Sequence, residues 1–204
     1  MGQIPDFYST VDADGDGVDD QTDVLDNALA YVDTRPKYKS RYYQTGYPGR
    51  WLWRVYRCGG FCTENAGYDL QALVDADIRE HPQWYDIRQP DANIDFRRVR
   101  NLKVFFAHHA VVLTTDVSRT EEWQGGDLVI FENHIGIVSD RRNKNGVPYI
   151  IHTMTLGRRL TNRTFWRNAP TSWAITGSRN NTPKAAPAAF VECNVTGPLC
   201  DIIM

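Results

Sequence analysis

Three features of the sequence predict an α+β fold in which N-terminal helices pack on an antiparallel sheet. The first is the stretch from Glu121 to Thr153, which reads as three β-strands in a row. Gly125-Gly126-Asp127 is a turn signal, and short apolar runs follow at Leu128 to Phe131, Ile135 to Val138 and Tyr149 to Ile151. The second is Asn145-Gly146 between the last two runs, a hairpin signal set among charged residues that suggest a longer loop. The third is a set of apolar stripes at helical spacing earlier in the chain.

In chain order, Val24, Leu25, Ala28, Leu29 and Val32 predict an amphipathic helix whose stripe faces the core. Arg35-Pro36 ends it, because proline lacks a donor and restricts the residue before it. Tyr38 to Tyr47 is aromatic and basic. Partly buried tyrosines are the ordinary expectation there, and a groove for an extended polar ligand is the alternative. Asp69 to Glu80 predicts a second helix with Leu70, Leu73, Val74 and Ile78 on one side and Pro82 as its stop. Asp91 to Arg100 leads into a third, Asn101 to Ala110, which carries Leu102, Phe105 and Phe106. His108 and His109 fall at its C-terminal end, where a cation suits the helix dipole, and are expected to be structural. Trp173-Ala174-Ile175 predicts a last strand ending at Gly177. From Ser178 onward no period is visible, and a loose tail is expected, which a Cys193–Cys200 bridge would pin in an oxidising compartment. The domain organisation read from this is an acidic N-terminal segment (1–23), one domain (24–177) and an irregular tail (178–204).

A chain of 204 residues can bury a real core as one domain. A net charge of -2 and a pI near 6.2 speak against a nucleic-acid partner. No apolar run reaches the ~18 residues that a membrane span needs. The opening MGQIPDFYST lacks the charged and apolar regions of a signal peptide. Four cysteines, Cys58, Cys62, Cys193 and Cys200, allow three pairings, and the Cys58/Cys62 spacing has no zinc-finger partner.

The sharpest local motif is Asp12 to Asp23. Asp12, Asp14 and Asp16 fall at positions one, three and five of a calcium loop, with Gly17 at the sharp turn. Val18 would offer its carbonyl, Asp20 stands at position nine, and Asp23 replaces the usual glutamate at position twelve. A structural Ca²⁺ is the expectation, and an acidic cap on the following helix is the bland alternative. His134 and His152 sit at the mouths of two neighbouring strands, where one ring can act as a base that the other orients. Capping of strand ends by hydrogen bonds is the competing reading. Cys62 precedes a short stretch that could start a helix, whose N-terminus would favour the thiolate. Gly67 limits such a helix to barely one turn.

Six segments carry a resemblance: GVDDQTDVLDNALAYVDTRPKYKSRYYQTGYP, AGYDLQALVDADI, PDANIDFRRVRNLKVFF, WQGGDLVIF, HIGIVSDRR and GVPYIIH. In this order they resemble a bacterial family known as domain of unknown function 1287, over most of the stretch from Asp16 to Gly177. That family is similar to the NlpC/P60 and papain-like cysteine peptidases and amidases. The resemblance implies a papain-like fold and hydrolysis of amide bonds, with peptidoglycan stem peptides as substrate. It also implies a cell-envelope or secreted location and no cofactor for catalysis. His134 of HIGIVSD matches the catalytic histidine position, His152 of YIIHT the orienting position, and Cys62 of FCTE the cysteine of the family motif GVCTD. The family places a longer stretch of helix between that cysteine and the equivalent of Ala66 to Leu70. Two readings follow. In one, Cys62, His134 and His152 form a cysteine amidase or peptidase site. In the other, Gly49 to about Phe61 and the tail are frame-shifted and the nucleophile is missing. The chain is then a calcium-stabilised, amidase-like fold that binds cell-wall peptides or a protein partner. A metal hydrolase built on His134 and His152 ranks below both, for want of a carboxylate ligand pattern.

Overall fold

The computed structural model describes residues 9–33, 42–46, 66–113, 116, 118–132, 134–153, 160–163 and 173–176, the last two ranges and Thr153 through their backbone alone. The four cysteines, Arg35-Pro36, the stretch 49–61 and the tail from Ser178 lie outside these residues.

Helix α1 spans Asp20–Asp33 and begins before the apolar stripe does, because Asp19 caps it. The Thr22 N–H and hydroxyl both donate to the Asp19 carboxylate, at 3.2 and 2.6 Å. Gln21, Val24, Ala28 and Tyr31 form its buried face, at the spacing an amphipathic helix requires. Helix α2, Leu70–Glu80, is capped by Asp69, whose carboxylate accepts from the Ala72 N–H at 3.0 Å. It stops at His81, where Pro82 opens a single 3₁₀ turn, Pro82–Trp84. A second such turn, Asp95–Arg97, leads into α3, Val99–His109. Among the described residues, no helix is long and apolar enough to cross a membrane.

Among the described residues six strands follow: β1 Val111–Val112, β2 Leu128–Ile130, β3 Ile135–Arg142, β4 Pro148–Thr153, β5 Leu160–Arg163 and β6 Trp173–Thr176. They form one sheet in the order β1-β6-β2-β3-β4-β5, and every neighbouring pair is antiparallel. The expectation of helices on an antiparallel sheet therefore holds. β1 and β5 were not legible in the sequence. β1 is two exposed valines, and Leu160–Arg163 has no apolar alternation. At the β3–β4 turn the hairpin closes at residues 143–146, with the Gly146 N–H donating to the Asn143 carbonyl at 2.9 Å. Gly146 takes a left-handed φ of 79° there. Asn145-Gly146 thus ends a longer turn, as the charged neighbours suggested.

The sheet buries both faces (β2 is buried at every position). Leu128, Ile130, Ile137 and Ile151 meet the three helices in the main core. Val129, Val138 and Ile150 form a second cluster on the other face under Trp123, which is 1 % exposed. Arg142 holds the loop that carries Trp123. Its guanidinium donates to the carbonyls of Thr120 at 2.6 Å, Gly146 at 2.9 Å and Trp123. α1 is tied to the same region by Gln21, whose amide donates to the Gly125 carbonyl and to Asp127, each at 2.9 Å.

Candidate functional site

His134 stands at the end of the β2–β3 turn, closed by the Phe131 N–H donating to the His134 carbonyl at 2.7 Å. His152 lies on β4. The pairing of Ile137 with Ile151 sets it opposite Gly136. Register and turn together bring the two rings into contact: His134 Nε2 and His152 Nδ1 are 3.0 Å apart, with ring planes at 76°. Alternation along β4 puts His152 on the Ile150 face and away from the face that the helices cover. Phe131 stacks with His134, their ring centroids 6.1 Å apart.

His152 is buried, and burial pushes its imidazole down to about 4. It is therefore neutral near pH 7, and its hydrogen bond to His134 joins one ring donor to one ring acceptor. The unfolded chain binds a proton at this imidazole near pH 6.5, while the folded chain does so near 4. Between these values the unfolded state binds more protons, so stability rises with pH across the window and is lost as pH falls through it. The amount is on the order of 3 kcal/mol. His152→Gln is expected to remove that part of the acid loss. Urea unfolding at pH 7 and pH 4.5 checks it, and an unchanged difference between the two pH values in the variant would contradict it.

The acidic loop folds on itself. The Gly15 and Gly17 N–H groups donate to the two oxygens of Asp12, at 2.7 and 2.9 Å. The Asp16 N–H donates to Asp14 at 3.1 Å and the Val18 N–H to Asp16 at 2.8 Å. Gly15 and Gly17 adopt φ of 75° and 93°, which side chains disfavour. The chain consequently curls so that Asp12, Asp14 and Asp16 each offer an oxygen within 4.8 Å of the others. Of the other acids expected as ligands, Asp20 and Asp23 are not among the three side chains that converge. Asp20 accepts from the Ala13 N–H at 2.7 Å and from the Tyr68 hydroxyl. Burial pushes the Tyr68 hydroxyl upward. Asp23 is pushed up to about 6, first by burial and then by the acids at 16, 14, 20 and 12.

A second polar cluster escaped sequence reasoning. His109 Nε2 lies 2.7 Å from Asp77, which is buried on α2, and the Tyr85 hydroxyl donates to the other Asp77 oxygen. His108 stacks on Trp84 with centroids 3.8 Å apart. The expected structural role of both histidines fits this placement. The signal missed was an aspartate on the apolar stripe of α2, where burial requires a polar partner. Of the three residues expected to form one site, His134 and His152 are brought together, and Cys62 lies outside the described residues.

Residues 25–178 match the family described as Domain of unknown function (DUF1287). The chain is also 32 % identical over 161 residues to the Escherichia coli (strain K12) protein named "Uncharacterized protein YijF", covering 71 % of this chain and 77 % of the relative. No solved structure matches it. With most of the chain inside the family match, and the histidine-bearing strands within it, the protein belongs to the DUF1287 family.

Proposed function

We propose that the chain is a cysteine-dependent amide hydrolase with a papain-like, NlpC/P60-type architecture, acting on peptide amides such as those of peptidoglycan stem peptides. The observation that carries this reading is the 3.0 Å contact between His134 Nε2 and the buried, neutral His152 Nδ1. A neutral acceptor behind an imidazole fixes its tautomer. When His134 donates from Nε2, its proton-accepting lone pair is on Nδ1. His134 takes the thiol proton of Cys62, and the thiolate adds to the amide carbonyl. The imidazolium returns that proton to the leaving amine, giving an acyl-enzyme. Water, deprotonated by His134, then releases the acid and restores the thiol. His152 strengthens the step in which His134 is charged, because a charged donor makes the stronger hydrogen bond. No metal or organic cofactor enters this chemistry. A cell-envelope site of action fits such a substrate.

Iodoacetamide alkylation of each cysteine against pH, read by mass spectrometry, tests the proposal. A Cys62 thiol titrating well below about 8.5 is expected. A Cys62 that titrates as an ordinary thiol would leave the nucleophile unassigned. The rival reading, a binding fold without catalysis, would then stand.

The convergence of Asp12, Asp14 and Asp16 around two left-handed glycines favours, in addition, a structural Ca²⁺ in the acidic loop. Three anionic oxygens at this separation repel one another, and a hard cation relieves them. Calcium at a hundred times its dissociation constant is expected to stabilise the fold by about 2.7 kcal/mol. Thermal melts in calcium and in chelator check this, with Asp12→Asn as the control that abolishes the difference. Equal melting temperatures in the two buffers would exclude the ion.

A further inference from the structure

Gly136 has an ordinary strand conformation, since it is absent from the glycines with positive φ among the described residues. Its backbone does not call for glycine, and glycine within a strand lowers stability. What it supplies is space. A Cβ on Gly136 would lie 2.5 Å from Ile150 Cγ2, 3.2 Å from the Ile151 carbonyl oxygen and 3.3 Å from His152 Cβ. Ile150 is 1 % exposed and enclosed by Trp123, Val129 and Val138, so its methyl group has little room to retreat. The Ile151 oxygen is backbone. A side chain at position 136 is therefore accommodated by moving β4 away from β3, and His152 moves with it.

The His134–His152 contact is sensitive to such a shift, because a hydrogen bond of 3.0 Å is lost by 3.6 Å. We propose that Gly136 is the positioning residue of the pair: the missing Cβ lets β4 approach closely enough for His152 to reach His134. This deepens the proposed function and rests on it, since the geometry matters for chemistry only if His134 is the base. Gly136 touches neither reacting atom and acts through His152.

The test is long-range ¹H–¹⁵N correlation of the imidazole nitrogens in the full chain near pH 7. In the wild type one proton is expected to correlate with His134 Nε2 and His152 Nδ1. Gly136→Ala is expected to lose this shared signal. Ile150→Ala, which weakens the same packing but leaves position 136 open, is expected to keep it. The double variant Gly136→Ala/Ile150→Ala removes the methyl group that the new Cβ meets first. It is expected to fold and still lack the signal, because the Ile151 oxygen and His152 Cβ remain close. Retention of the shared proton in either folded Gly136→Ala variant overturns the proposal. So does its loss in Ile150→Ala, and so does failure of both Gly136 variants to fold, since each assigns Gly136 to packing alone. Alkylation of wild-type Cys62 separates this from the hydrolase reading. An ordinary thiol there sinks the reading and leaves the Gly136 result intact.

Discussion

His134→Ala is expected to return Cys62 to the reactivity of an ordinary thiol and to lower amide hydrolysis by a factor on the order of 10²–10⁴. Two roles are lost together. The imidazole no longer accepts the thiol proton, so at pH 6 the thiolate falls to roughly 0.3 % of a thiol titrating near 8.5. Nor can it protonate the leaving amine. His152→Ala is expected to fall between this variant and wild type, because it leaves the base in place but removes the neutral partner that orients it. Alkylation rates across pH 5 to 9 and turnover of a stem-peptide substrate measure the two effects separately. Identical alkylation profiles for wild type and His134→Ala would end the assignment of His134 as the base.

Arg142→Leu is expected to give the largest loss of stability, on the order of 3 kcal/mol. The guanidinium joins the carbonyls of Thr120, Trp123 and Gly146, and thereby fastens the Trp123 loop to the β3–β4 turn. Burial pushes the arginine downward, and the nearby Asp127 and Glu121 oppose this. Leucine fills part of the space of the stem but leaves the three carbonyls without this donor in a partly buried setting. Arg142→Lys is expected to recover part of the loss, since one ammonium cannot span three acceptors in the manner of a planar fork. For a chain of this size, 3 kcal/mol corresponds to about 6–12 °C in melting temperature. Thermal melts of the two variants measure it. A leucine variant that melts with the wild type would show that the clamp contributes nothing.

How much of this was visible beforehand depended on the range of the interaction. Helix α2 was legible because its cap at Asp69, its stripe and its stop at Pro82 are all local. The histidines were legible as strand-end residues for the same reason. Their contact was not, because it depends on register, and the β3–β4 ladder shifts between Val138 and Arg142. A displacement of one residue would have turned His152 to the opposite face. Nothing near Arg142 in sequence names the three carbonyls it meets. What distinguishes Asp77 is its burial and its contact with His109 on another helix, neither of which is local in sequence. The acidic loop was legible as a pattern, because its ligand spacing is local, and its geometry brings the carboxylates of Asp12, Asp14 and Asp16 together.

The position of β6 has a consequence for synthesis. This strand is late in the sequence, yet it lies between β1 and β2. The β2–β3–β4 meander that carries the histidines pairs locally and can form as soon as it leaves the ribosome. Until Trp173–Thr176 arrives, Leu128–Ile130 stays an open edge of three apolar residues, a template for another nascent chain. A translation stop or proteolytic cut ahead of Trp173 would hold the protein in that sticky state.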